Sequence, residues 1–138
     1  MRADAARRKA ELFATADAAH AAMASSDIAR AARNVHRFWV PGRIEVLGKH
    51  TDYAGGRSLL CAVERGFCVT AAARHDDMVR VVNATSGEHV VATLSANDAS
   101  GAGHWSNYVN TVVRRVARDF APLAGADVAF ASDLPIAA

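Results

Sequence analysis

Residues 49–53 place Lys49, His50, Thr51, Asp52 and Tyr53 in one unbroken polar run. A lysine only donates hydrogen bonds and an ionised aspartate only accepts them, whereas an imidazole, a hydroxyl and a phenol do either. Such a mixture suits a small polar ligand. Gly48 precedes the run and Gly55-Gly56 closes it, so the backbone can take positive φ and come close to what it holds. Upstream, behind the turn pair Pro41-Gly42, Arg43 and Glu45 alternate with Ile44 and Val46. In a strand that alternation sends Ile44 and Val46 into a core and turns Arg43 and Glu45 toward the ligand. A strand feeding a glycine-bounded polar loop is a common support for a binding site. The same loop without a ligand reads as a self-capped Asx-type turn.

The chain that must position this loop has 138 residues, enough for one domain or a piece of one. Hydrophobic residues make up 51% and charged residues 22%, which supports a packed core and argues against disorder. A formal net charge of +2 calls for neither nucleic acid nor an anionic membrane as partner, although a basic cleft for a nucleotide triphosphate is compatible with it. Cys61 and Cys68 have neither redox nor zinc spacing and lie in apolar runs, so both are expected as buried free thiols in a reducing cytoplasm. No apolar run approaches the roughly 20 residues of a membrane span. The N-terminus lacks an apolar signal-peptide core and carries Asp4, Glu11, Asp17 and Asp27.

Around the loop, the pattern gives strands and helices in mixture. Residues 1–35 are alanine-rich, and Ser25-Ser26-Asp27 offers a break and a new N-cap, so two helices covering one side are expected there. Phe38-Trp39-Val40 leads into the strand at 43–47, with Trp39 read as a core residue. Further strands are expected at 58–63, 66–73, 78–82 and 89–94, joined by polar turns at 74–77 and 83–88. His75 and His89 have no partner at metal-ligand spacing and are expected at the surface. A small-residue loop at 95–103 precedes a helix over 104–120. Trp105, Val109, Val112, Val113, Val116 and Phe120 share its apolar face, and Arg114, Arg115 and Arg118 its solvated one. A last strand at 127–131 points Val128 and Phe130 inward. The class is α+β, a mixed or antiparallel sheet with packed helices.

The whole run at 41–56, PGRIEVLGKHTDYAGG, resembles the sugar-binding signature of galactokinases in the GHMP family of small-molecule kinases. The Gly-Arg pair, Gly48, the His-Thr-Asp-Tyr block and Gly56 stand where that pattern has them. Glu45 replaces its commoner Asn, Lys49 its Glu, and Ala54 an Asn often found there. Trp105-Ser106-Asn107-Tyr108-Val109 is similar to the family's Trp-x-Asn-Tyr-Val segment, whose aromatic residues help form an adenine pocket. Residues 83–86, Asn-Ala-Thr-Ser, stand at a loop that borders the nucleotide. Residues 132–138 resemble the lead-in to the Gly-Leu-Ser-Ser-Ser phosphate loop, before which the sequence stops.

The resemblance implies an N-terminal helical segment at 1–35 and the N-terminal part of a GHMP kinase domain at 36–138. It implies an ATP-dependent sugar-1-kinase acting on galactose or a related sugar, cytoplasmic and monomeric, with Mg2+ held by residues outside this sequence. The piece alone is expected to be inactive and, as a real product, poorly stable. Arg43 takes the catalytic position and contacts substrate along with Lys49, His50, Asp52 and Tyr53. Trp105, Tyr108, Asn83 and Thr85 take the nucleotide. Without the resemblance, Trp105 and Tyr108 read as the core-facing first turn of a helix. Lys49 reverses both the charge and the hydrogen-bond sense of the family's glutamate. Galactose, a hexuronate whose carboxylate meets the lysine, an internal pair with Glu45, and a pentose such as arabinose all stay open, as does a non-catalytic sugar- and nucleotide-binding sensor.

Overall fold

A computed structural model of the chain describes residues 2–24, 34–95, 104–120 and 124–135. The elements follow the order α1 (Arg2–Ala24), β1 (Val35–Leu47), a 3-10 turn (Thr51–Ala54), β2 (Leu59–Ala73), β3 (Met78–Asn83), β4 (His89–Thr93), α2 (Ser106–Phe120) and β5 (Ala126–Ser132). The five strands form one sheet in the order β1-β2-β5-β3-β4. β3 and β5 are parallel, and every other pair is antiparallel. This is the expected α+β mixture, with one helix on each face of the sheet.

Helix α1 is long because its alanines carry no side-chain entropy cost, and Asp4 pairs with Arg7 and Arg8 across its first turn. Those alanines also let it lie close on the sheet. Ala16 is fully buried against a strand face built from similarly small residues, among them Ala72, Ala129 and Ala131. Polar groups fix its position. The Thr70 hydroxyl donates to Asp17 Oδ1 at 2.8 Å, and Arg37 pairs with the same carboxylate. The Lys9 ammonium lies 4.3 Å from the centre of the Trp39 ring. One helix therefore stands in residues 2–24; the second expected helix and the break at 25–27 lie outside the described residues. No helix among the described residues is long and apolar enough to cross a membrane.

A buried ion cluster on the α1 side ties β5 and β3 to the residue that follows β2. Asp127 of β5 accepts from Arg74 at 2.9 Å and from Arg80 of β3 at 2.6 Å, and Arg74 also pairs with Asp76. Asp127 is only 1% exposed and Arg74 8%. Arg74 was expected in a polar turn; the cluster draws it inside, because a buried carboxylate requires paired charge. Burial opposes ionisation of Asp127, but hydrogen bonds from Arg80 and Arg74 override it and hold the carboxyl below its ordinary range.

Several expectations are corrected. Residues 35–47 form one strand rather than a lead-in and a strand, and 59–73 form one strand rather than two. In β5 the fully buried side chains are Asp127, Ala129 and Ala131, whereas Val128 and Phe130 turn to the α2 side and stay half-buried. Both faces of β5 are covered, so its tightest packing falls on the face with the smaller residues. Cys68 is buried but Cys61 is exposed. On α2, Val113 is buried while Val112 and Phe120 face out. Ile44 and Val46 are 57% and 53% exposed, so they anchor no core among the described residues. The reason is topological: β5 pairs β2 only from Phe67 to Ala73. Beyond Gly66, β1 and β2 continue as a two-stranded arm.

Candidate functional site

The arm carries the polar loop at its tip. Gly48 takes φ +88°, and a Cβ there would meet the Arg57 carbonyl oxygen at 2.4 Å, so no other residue fits without displacing backbone. Its carbonyl oxygen is the loop's fastening point. The Thr51 amide donates to it at 3.1 Å, the Thr51 hydroxyl at 2.8 Å and the Ser58 hydroxyl at 3.0 Å. The Thr51 hydroxyl also lies 3.1 Å from the Arg57 carbonyl, and the Gly56 amide donates to the Thr51 carbonyl at 2.8 Å. Thr51 and Ser58 thus do the fastening, and sequence reasoning assigned neither of them a role. The available signal was a hydroxyl on each side of a glycine-bounded turn.

Lys49, His50 and Tyr53 of this loop are exposed. His50 has φ +63°, a left-handed conformation that few side chains adopt, and its ring stacks on Tyr53 with centroids 5.9 Å apart and planes 16° apart. Tyr53 is 85% exposed. Asp52 lies on the same 3-10 turn. Arg43, Glu45 and Lys49 are exposed, and no hydrogen bond or ion pair joins Glu45 to Lys49, so the internal pairing of those two residues does not form. The segment after β5 reaches the base of the arm. Asp133 accepts from the Gly66 amide at 2.9 Å, and a Cβ on Gly42 would meet Leu134 at 2.5 Å. The 132–135 segment and Arg43 are thereby brought to the same end of the sheet.

A second group gathers around Phe130. Trp105, one residue before α2, meets its ring edge-on at 5.9 Å, and the Ala84 amide donates to its carbonyl at 2.7 Å. His104 lies 3.7 Å from Glu88, linking the 83–88 turn to the start of α2. Asn83, Thr85 and Trp105 are therefore neighbours. Tyr108 is on the first turn of α2, 79% exposed. Asn83 is occupied locally, since its Oδ1 accepts from the Thr85 amide at 3.0 Å. By contrast, the Trp105 indole Nε1 and the Asn107 Oδ1 are buried and unpartnered among the described residues. Asn107 went unassigned in the sequence reading. Among the described residues no group of three or more His, Cys, Asp or Glu could hold a metal.

A family model described as the galactokinase galactose-binding signature matches residues 30–74, which contain the arm and its loop. The chain is similar to a galactokinase of Roseiflexus sp. (strain RS-1), 36% identical over 69% of this chain and 24% of that protein. It is also similar to one of Glaesserella parasuis serovar 5, 33% identical over 71% and 26% respectively. Among solved structures it resembles Lactococcus lactis galactokinase complexed with galactose, with a TM-score of 0.62 and 26% identity over 75% of this chain and 27% of that one. Methanococcus jannaschii mevalonate kinase shares the fold, with a TM-score of 0.57 and 14% identity over 78% and 34%. The chain spans about a quarter of the length of the curated relatives it matches.

Sheet, flanking helices and these neighbours define the fold of the GHMP small-molecule kinases. Within that class, residues 30–74 carry the galactokinase galactose-binding signature, and the chain is galactokinase-like.

Proposed function

We propose that the chain supplies the sugar-binding part of an ATP-dependent sugar-1-kinase that phosphorylates the anomeric hydroxyl of galactose or a related sugar. The observation that carries this reading is the galactose-binding signature at 30–74, whose loop is fastened by Gly48, Thr51 and Ser58 while Lys49, His50 and Tyr53 are exposed. In the reaction the anomeric oxygen forms a bond to the γ-phosphorus, the bond to the β-phosphate bridge breaks, and ADP leaves. The hydroxyl proton passes to a carboxylate that the family resemblance puts outside this sequence. Such chemistry asks a protein chiefly for positioning and charge neutralisation.

Arg43 is the residue for the charge that develops on the transferring group. Asp52 accepts from sugar hydroxyls, His50 adds a polar contact, and Tyr53 forms the wall on which His50 stacks. A sugar lacking the hydroxyls that Asp52 meets would leave its carboxylate unpaired. Trp105, Asn107 and Tyr108 would hold adenine, with Asn83 and Thr85 at its border. Bound Mg2+ supplies neutralisation of the phosphates, and no residue of this chain is assigned to it.

The test is an ATP-dependent assay of the full-length gene product with galactose, arabinose and a hexuronate, read as sugar phosphate and ADP. The expected result is turnover of at least one sugar, with kcat reduced about 100-fold in Arg43→Ala and KM changed far less. Sugar binding with no turnover of galactose, arabinose or a hexuronate would instead leave a non-catalytic sensor.

A further inference from the structure

Residues 43–57 carry three cations, Arg43, Lys49 and Arg57, and two acids, Glu45 and Asp52. The side chains of Arg43, Glu45, Lys49 and Arg57 are exposed. None of these four side chains makes a hydrogen bond or an ion pair with a described residue. Lys49 is the one placed inside the ligand loop, between Gly48, whose carbonyl is fastened by two hydroxyls, and His50, held at φ +63°. Backbone held away from its relaxed conformation at an exposed loop is an observation that points to function. A lysine offers donors only, so what it meets must accept, and an anion is met better than a hydroxyl by a charge-assisted bond.

From this we infer that Lys49 is a specificity residue for a carboxylate on the sugar, so that the related sugar is a hexuronate. The inference rests on the sugar-kinase reading and narrows its substrate. A carboxylate suits the place better than a phosphate does. Phosphate sites draw on several free backbone amides or on a planar guanidinium fork. Here the Thr51 and Gly56 amides are already committed to the Gly48 and Thr51 carbonyls. One ammonium can still pair with one carboxylate. Lys49 makes no contact that the fold uses, so it is replaceable without unfolding the arm.

Calorimetry on the full-length gene product would compare galacturonate, its neutral methyl ester, galactose and galactose 6-phosphate. The comparison is made in wild type, Lys49→Met and Lys49→Glu. Galacturonate should bind about tenfold tighter than galactose or the ester, the size of one charge-assisted bond. Lys49→Met should bring the three within about twofold, and Lys49→Glu should invert the order. Galactose binding as tightly as galacturonate in wild type overturns the inference but leaves the kinase reading standing. So does a galacturonate preference that survives Lys49→Met. Tightest binding of the 6-phosphate overturns the carboxylate in favour of a phosphate, and no binding of any sugar overturns both readings.

Discussion

The two halves of β2 obey opposite rules. From Phe67 to Ala73 the strand lies between β1 and β5 beneath α1, Cys68 and Ala72 are sealed, and the strand runs out into the Arg74–Asp127–Arg80 cluster. From Leu59 to Arg65 it has only β1 beside it, and Leu59 and Leu60 are each more than half exposed. One half is held by packing and buried charge, the other by its ladder and by hydroxyls on a single carbonyl. The difference teaches that stability and recognition are separated along one strand. Substitutions should therefore divide into those that unfold the chain and those that change only what it binds.

The largest effect belongs to the sealed half. Asp127→Ala leaves Arg74 and Arg80 without their buried counter-charge and should cost about 3–5 kcal/mol in a denaturant melt. The same cluster sets the acid limit. Asp76 is held at about 2 by its hydrogen bond from Arg74, and Asp127 and Asp17 are also held below their ordinary range. At Asp17, burial resists ionisation and the Arg37 and Thr70 hydrogen bonds win. A carboxylate with a depressed folded-state pKa stabilises above its unfolded value, and that contribution disappears as pH falls through the folded value. The melting temperature should therefore hold near neutrality and fall below about pH 4, and Asp127→Asn should flatten that fall.

Intermediate in size is Thr51→Val, which removes the hydroxyl that fastens Gly48. It should cost about 1 kcal/mol and weaken sugar binding more than it lowers the melting temperature, with Thr51→Ser restoring both. A melting-temperature loss as large as that of Asp127→Ala would erase the contrast between the halves. Smallest is Ile44→Gln on the exposed arm, within about 0.5 kcal/mol of wild type. A loss of several kcal/mol there would show that the arm is buried in solution.

The contrast also explains what could be read beforehand. The loop at 48–56 was legible because glycines and ligand-type residues are demanded by local geometry, whatever surrounds them. Helix α2 was legible from its apolar stripe and β5 from its length and flanking turns. The continuity of β2 was not, because Glu64, Arg65 and Gly66 interrupt its apolar run where no β5 covers it. The exposure of Ile44 and Val46 was not either, since alternation says which residues share a face but not whether that face is covered. Arg74 was lost to its polar neighbours in sequence. The clue to it was Asp127, an acid opening an otherwise small and apolar strand, which has to find a cation elsewhere. Trp105 packs on Phe130, as its core reading expects, while its indole nitrogen has no partner among the described residues.

The β1–β2 ladder is irregular in two places, between Pro41 and Arg43 and again between Glu45 and Leu47. At the first, Gly42 alone stands opposite the three residues 63–65, an offset of two that leaves the alternation of faces intact. At the second, Val46 has no residue opposite it, an offset of one that interrupts the alternation just before the loop. The arm therefore behaves as a counting device between Arg43 and Gly48. Losing or gaining a single residue there would rotate Arg43 to the opposite side from the loop, whereas a change of two would restore it. Spacing constrains this stretch more tightly than residue identity, and a departure such as Glu45 is accommodated without any change in length.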